Sequence, residues 1–251
     1  RRFLELYDPT RLRLPERTDH ELVDGFPGNL IRARERGWYQ QTNDELRQAL
    51  AGYYGNISQI DSYVGRVYDA VCDLGLDSNT IVVYTSDHGE MAGAHRMWTK
   101  HNMYEQSVGV PLIISTPERR GSSERRSELV ELTDLFPTLV ELCGFRTPAG
   151  LHGRSFARLV QGRSYRPREF VFAEYYFCHN VFTRDDRYVG KPPMLMVRTE
   201  RWKLVHLSWS RSELYDVARD PGEFHNRIDD FAMQGVVQQL TKTAYRMLRL
   251  S

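Results

Sequence analysis

The sequence predicts an α/β fold: a sheet flanked by helices over residues 1–165, then a small antiparallel sheet with a terminal helix over residues 166–251. Three observations carry this reading. An apolar run, Thr80-Ile81-Val82-Val83-Tyr84-Thr85-Ser86, stops abruptly at Asp87-His88-Gly89-Glu90. Upstream of it, apolar residues at Tyr53, Ile57, Ile60, Val64, Val67, Val71 and Leu74 alternate spacings of four and three, the signature of one helix face. Beyond about residue 165 the texture changes to short β-like runs.

Taken in order, residues 1–43 are rich in Pro, Arg and Asp and poorly periodic, with turn signals at Asp8-Pro9, Leu14-Pro15 and Phe26-Pro27-Gly28-Asn29; they read as a long surface connection. Thr42 or Asn43 can cap the helix that follows, and Gly75 ends it. Asp77-Ser78-Asn79 turns the chain into the strand at 80–86. That strand has no polar alternation, so both faces are expected to be covered, as in a parallel sheet. Val110-Pro111-Leu112-Ile113-Ile114-Ser115 reads as a second such strand, and the Glu-Arg-rich stretch between Pro117 and Glu128 as a solvated loop. Asp134 can cap a helix through Leu142 that Gly144 terminates. Four strands are expected, at 170–173, 194–198, 203–207 and 213–215, and an amphipathic helix over 229–250 bearing Val236, Val237, Leu240, Ala244, Met247 and Leu248.

Composition narrows the function. With 251 residues, 41% hydrophobic and 27% charged, the chain is globular, and no apolar run approaches the roughly 20 residues of a membrane-spanning helix. A formal net charge of +1 gives no reason to expect a nucleic-acid partner. Cys72, Cys143 and Cys178 are too few and scattered for a disulfide framework, and are expected to be buried free thiols. The chain begins Arg1-Arg2-Phe3-Leu4 with no leader-like segment, so its compartment is unread.

The chemistry concentrates after the first strand, where Asp87, His88, Glu90, His95, Lys100 and His101 follow one another closely. Asp and His offer a hard oxygen and a neutral nitrogen to one metal ion, provided the backbone leaves the strand there, which Gly89 would permit. Lys100 adds a compact charge with three donors, suited to a sulfate or phosphate oxygen. The residues alone leave open a plainer reading, in which Asp87 caps a turn and Lys100 is solvated.

In order and spacing the motifs over residues 50–226 resemble the C-terminal half of a type I sulfatase of the alkaline phosphatase superfamily. The likeness runs through Tyr54-Gly55-Asn56-Ile57-Ser58-Gln59-Ile60-Asp61, then 79–91, Lys100, Tyr104-Glu105 and Val110-Pro111-Leu112-Ile113-Ile114. It continues at Thr133-Asp134-Leu135-Phe136-Pro137-Thr138-Leu139, Leu151-His152-Gly153-Arg154, Arg198-Thr199-Glu200-Arg201-Trp202-Lys203-Leu204 and Glu213-Leu214-Tyr215-Asp216. The resemblance implies an alkaline-phosphatase-like sheet, residues 1–165 as part of the catalytic domain and 166–251 as a small C-terminal subdomain. It implies Asp87 and His88 as ligands of a divalent cation, calcium first with magnesium or manganese as alternatives. It implies Lys100 as the catalytic and substrate-binding lysine that grips sulfate, with His95 either lining the pocket or at the surface. The substrate class would be a sulfate ester, a small molecule or a sulfated glycan.

Such enzymes use a formylglycine made within Cys/Ser-x-Pro/Ala-x-Arg. No cysteine here fits, and Ser115-Thr116-Pro117-Glu118-Arg119 fits only by position, after the wrong strand. The expectation is therefore half an active site, inactive alone and completed by an N-terminal half of the same protein. A phosphate or phosphonate ester hydrolase of the superfamily, or a non-catalytic remnant, are the alternatives. The aromatic segment Tyr175-Tyr176-Phe177-Cys178-His179-Asn180 is expected to pack in the core rather than contact substrate.

Overall fold

A computed structural model describes residues 2–18, 20–119, 121–177 and 188–249. Helix α1 (Pro27–Glu35) is followed by the long α2 (Asn43–Asp73), strand β1 (Val82–Thr85), the one-turn α3 (Glu105–Val108) and β2 (Leu112–Ser115). Then come α4 (Leu135–Leu142), α5 (Ala157–Val160), strands β3 (Val171–Tyr175), β4 (Met194–Arg198), β5 (Trp202–His206) and β6 (Glu213–Asp216), and α6 (Gln234–Leu248).

Local chemistry sets the ends of α2. Thr42 Oγ1 accepts from the Glu45 amide while Glu45 accepts from the Thr42 amide, a capping box. At the other end Gly75, at φ +66°, lets its own N–H and that of Leu76 reach the Cys72 and Val71 carbonyls. Burial on this helix is confined to its first half, at Leu46, Leu50, Ala51 and Gly55. The stripe that announced it in the sequence is open: Ile60, Val67 and Leu74 are 50%, 67% and 72% exposed.

β1 and β2 pair antiparallel, Val82 with Ser115 and Thr85 with Leu112, which corrects the parallel arrangement expected from their apolar character. A parallel return would have to carry the chain to the opposite end of β1. Here residues 86–111 stay at one end, folding into a tight loop and α3 before entering β2 beside Thr85. Nor are both faces covered: every β1 position is half-buried and Ile113 is 62% exposed.

The second sheet runs β3-β4-β5-β6, antiparallel throughout, as the sequence predicts. On one side Leu195, Val197, Leu204 and Leu214 pack on Leu240 and Ala244 of α6. On the other, Met194, Met196, Val205 and Leu207 meet Phe26, Met103 and Phe177. Residues 1–43 are thus not a mere connection: Leu22, Phe26, Arg32 and Ala33 are among the most buried side chains. Two further expectations are corrected. Asp134 does not cap α4 through its side chain; its fully buried carboxylate accepts from the Glu131 and Arg154 amides and pairs with Arg168, tying the 131–134 turn to the approach of β3. Cys72 and Cys143 are exposed, the first on the open side of α2, and Cys178 lies outside the described residues.

Candidate cation and anion site

β1 ends at Thr85, so Asp87 and His88 stand in the loop beyond it, where their side chains escape the alternation of a strand. Ser86 Oγ donates to the His88 carbonyl at 2.8 Å and the His88 amide donates to Asp87 Oδ1 at 3.1 Å, fixing the turn. His88 Nδ1 lies 2.8 Å from the Gly89 carbonyl. A carbonyl only accepts, so Nδ1 carries the proton and Nε2 presents a lone pair. Nε2 is 3.5 Å from Asp87 Oδ2. Two ligands sharing one calcium at its usual bond lengths stand about 3 to 3.5 Å apart, so the pair is spaced for a common ion. Among the described residues no third His, Cys, Asp or Glu completes a cluster with them. Desolvation works against the Asp87 carboxylate, but His88, its own backbone and Lys100 together outweigh it and hold the group below the ordinary value.

Gly89 is required here by space. Its φ is not positive, but a Cβ would sit 2.0 Å from the Gln106 carbonyl and 2.8 Å from that of Gly109. Its amide donates to the Ser107 carbonyl at 2.8 Å, which seats the loop on α3. From there the chain makes a compact excursion and returns. Met91 N–H meets the Thr99 carbonyl and Gly93 N–H that of Met97, while Glu90 Oε1 accepts from the Ala92 and Thr99 amides at 3.2 and 2.5 Å. Lys100 follows immediately, and so lines the same cavity as Asp87 and His88. That cavity, about 700 Å³, is walled by α3, by residues 127–133 and by Phe172, Tyr175, Met196 and Arg198 of the C-terminal sheet.

The excursion is strained. Ala92, His95, Arg96, Thr99 and His101 all have φ between +45° and +81°. Arg32, 1% exposed on α1, lies against it. Its guanidinium donates to the carbonyls of Trp98, Lys100 and His101 and to Thr99 Oγ1, and sits 5.3 Å over the Trp38 ring. Burial lowers this guanidinium to about 10, leaving it charged at neutral pH. His101 also lines the cavity, its ring edge-on to Tyr175 at 5.5 Å. Burial first, then the charges of Arg32 and Lys100, lower it to about 4, so the ring is neutral.

The structure therefore brings Asp87, His88 and Lys100 together. His95 is neither in the pocket wall nor at the surface: 1% exposed, it stacks on Tyr104 at 3.9 Å and lies 3.4 Å from Glu21. Of the aromatic segment, Phe177 is buried in the core, while Tyr175 lines the cavity and Tyr176 is 53% exposed; residues 178–180 lie outside the described residues. Arg32 was not singled out from sequence, because an arginine in an arginine-rich stretch carries no local signal; Glu90 and His101 stood in the dense cluster without a role, and Arg198 only in a family-like motif.

The whole arrangement of sheets and helices superimposes on a phosphonate monoester hydrolase from Silicibacter pomeroyi with a TM-score of 0.87 and 25% identity, covering 99% of this chain and 53% of that one. BT1596, described as a 2-O GAG sulfatase, matches with a TM-score of 0.79 and 25% identity over 96% of this chain and 53% of its own. These likenesses place the fold in the alkaline-phosphatase-like α/β class. A family model described as "N-sulphoglucosamine sulphohydrolase, C-terminal" matches residues 93–249, and one described as "Sulfatase" matches residues 28–145. The chain belongs to the sulfatase family. Arylsulfatase K of Mus musculus is 32% identical over 200 residues, 76% of this chain. The chain spans about a third of the length of that relative, 34%.

Proposed function

We propose that this chain carries the cation-holding and anion-gripping part of a sulfuric ester hydrolase. The observation that supports this most is the meeting of Asp87, His88 and Lys100 at one cavity in a chain of the sulfatase family. Asp87 Oδ2 and His88 Nε2 would hold a divalent cation, calcium by preference, which would supply Lewis acidity toward a sulfate oxygen. Nδ1 donation to Gly89 keeps Nε2 aimed at that ion. Lys100 offsets charge on the sulfate and on the departing oxygen.

The nucleophile is not Ser115. It pairs with Val82, three residues up β1 from Thr85 and so roughly 10 Å from the end where the site lies. With no fitting formylglycine motif in the sequence, the covalent route has no first step, and the 251 residues alone are expected not to turn over. An N-terminal half of the same protein would supply it, and would cover the open stripe of α2 and the half-buried β1 and β2. The substrate we assign is a sulfate ester of a sugar, on the strength of the family model and the 2-O GAG sulfatase likeness. A phosphonate or phosphate monoester is the second reading, favoured by the phosphonate hydrolase superposition.

Assay of the chain with an aryl sulfate, beside calorimetry with calcium, tests the proposal. No turnover and only weak calcium binding are expected, because two protein ligands leave the coordination sphere mostly water. Turnover comparable to an intact sulfatase, or tight calcium binding, contradicts it. Tighter binding of methylphosphonate than of inorganic sulfate would favour the second reading.

A further inference from the structure

Resting on the reading of Lys100 as the sulfate ligand, we propose that Arg32 is the positioning residue of the anion site. Residues 98–101 belong to no helix and no strand, so no ladder of backbone hydrogen bonds holds them. The Met91 amide and the Glu90 carboxylate hold Thr99, the Trp98 indole donates to Gln41, and one guanidinium gathers acceptors from all four residues. Arg32 Nη2 donates at 3.1 Å to the Trp98 carbonyl and at 3.1 Å to Thr99 Oγ1, and it also reaches the Lys100 carbonyl. Nη1 reaches the His101 carbonyl at 3.4 Å. Four consecutive residues thus turn acceptors inward onto a single planar cation. The Lys100 side chain is left to line the cavity beside Asp87 and His88.

The backbone explains why such a clamp is needed. Thr99 at φ +66° and His101 at φ +81° flank Lys100 in a region that residues with a Cβ rarely occupy. Released, this stretch would relax, and the Lys100 side chain would leave its place in the cavity wall it shares with Asp87 and His88. Carbonyl acceptors crowded together also repel one another, and a buried positive charge reverses that repulsion. A lysine could not do the same, since its three donors radiate from one atom and do not span four acceptors. Trp38, under the guanidinium at 5.3 Å, keeps its plane in register. Asp87 and His88 owe their places to β1, Ser86 and Gly89 instead, so the clamp serves the anion ligand and not the cation pair.

The test uses the native chain with inorganic sulfate as the probe, titrated by heteronuclear NMR, and a separate calcium titration. Arg32→Lys should weaken sulfate binding at least tenfold and change calcium affinity less than twofold. Thr99→Val, which deletes one acceptor and leaves Arg32 in place, should weaken sulfate about threefold; it carries the test alone if Arg32→Lys does not fold. Millimolar guanidinium should restore sulfate binding to Arg32→Ala. Sulfate affinity within twofold of native in Arg32→Lys, or in Thr99→Val where only that variant folds, overturns the proposal. So does loss of sulfate and calcium together, the mark of general damage. Lys100→Ala separates the two levels: if it binds sulfate as the native chain does, or if the native chain binds none, the reading of Lys100 falls and this one with it. If Lys100→Ala loses sulfate and Arg32→Lys does not, only the role of Arg32 is refuted.

Discussion

At Gly89 the backbone of the site loop lies so close to α3 that no side chain fits between them. The atoms a methyl group would meet, the Gln106 and Gly109 carbonyls, belong to the main chain and cannot swing away. Gly89→Ala must therefore push the loop off the helix and break the bond from its amide to Ser107. Overpacking of this kind costs about 1 to 3 kcal/mol. Urea denaturation should show that loss, and NMR titration should show calcium binding weakened further, because Asp87 and His88 ride on the displaced segment. A variant with stability within about 0.5 kcal/mol of native, the usual range for a harmless surface change, would refute the packing argument. The sequence marked this glycine as a turn; only the folded chain gives closeness, rather than dihedral freedom, as the reason for it.

Among the elements, those with strong local periodicity were legible: α2, α4, α6, β1, β2 and the four strands of the second sheet are where the spacing of apolar residues puts them. α1 was not. Pro27-Gly28-Asn29 reads as a turn, and what α1 buries includes Asn29 and Arg32, the second a charge whose burial depends on acceptors some 66 to 69 positions away. Pairing direction was equally hidden, because it is decided by where residues 86–111 return and not by the strands themselves. Asp87, His88 and Lys100 stood out by their density, while their convergence rests on Glu90 and Arg32 closing the loop. On α2 the periodicity was real but its partner is not among the described contacts, and this gives a contrast that can be measured. Val67→Lys and Leu74→Lys should cost under about 0.5 kcal/mol and reduce self-association in sedimentation, since both sites are open. Leu46→Ala or Leu50→Ala, at 0% and 1% exposure, should cost about 2 to 5 kcal/mol. Equal costs at the two ends of the helix would show that the stripe is covered in solution.

Across the whole molecule the two portions are joined by buried charge as well as by apolar packing. Lys203 of β5, fully buried, lies 2.7 Å from Glu223 and 3.3 Å from Glu105 of α3, while Glu223 also accepts from the Glu105 amide. Nearby, Glu213 of β6 accepts from the Phe26 amide at 2.6 Å, just where α1 begins. Burial, reinforced by Glu223, raises the Glu213 carboxyl from 4.5 to about 7 against the pull of Phe26 N–H, His95 and Lys203. Tyr104 and Tyr215, both raised by burial, stay neutral and do not compensate it. In the unfolded chain the same carboxyl ionises near 4.5, so between there and about 7 the fold holds a proton the unfolded chain has lost. Its stabilising contribution is complete below the lower value, is lost as pH rises through the upper, and is flat beyond. The full difference is on the order of 3 kcal/mol, which is large against the margin of a domain this size. Carboxylates such as the buried Asp216 and the half-buried Asp230, held low by Arg201 and Arg227, act in the opposite sense, but only in more acidic solution. Glu213→Gln keeps the acceptor for Phe26 and removes the titration. Urea denaturation at intervals from pH 5 to 8 should show stability falling with pH in the native chain and a shallower slope in the variant, with the variant ahead at pH 8. The same slope in both would mean that the proton resides elsewhere in the cluster, and that the junction between the two sheets is not what responds to pH.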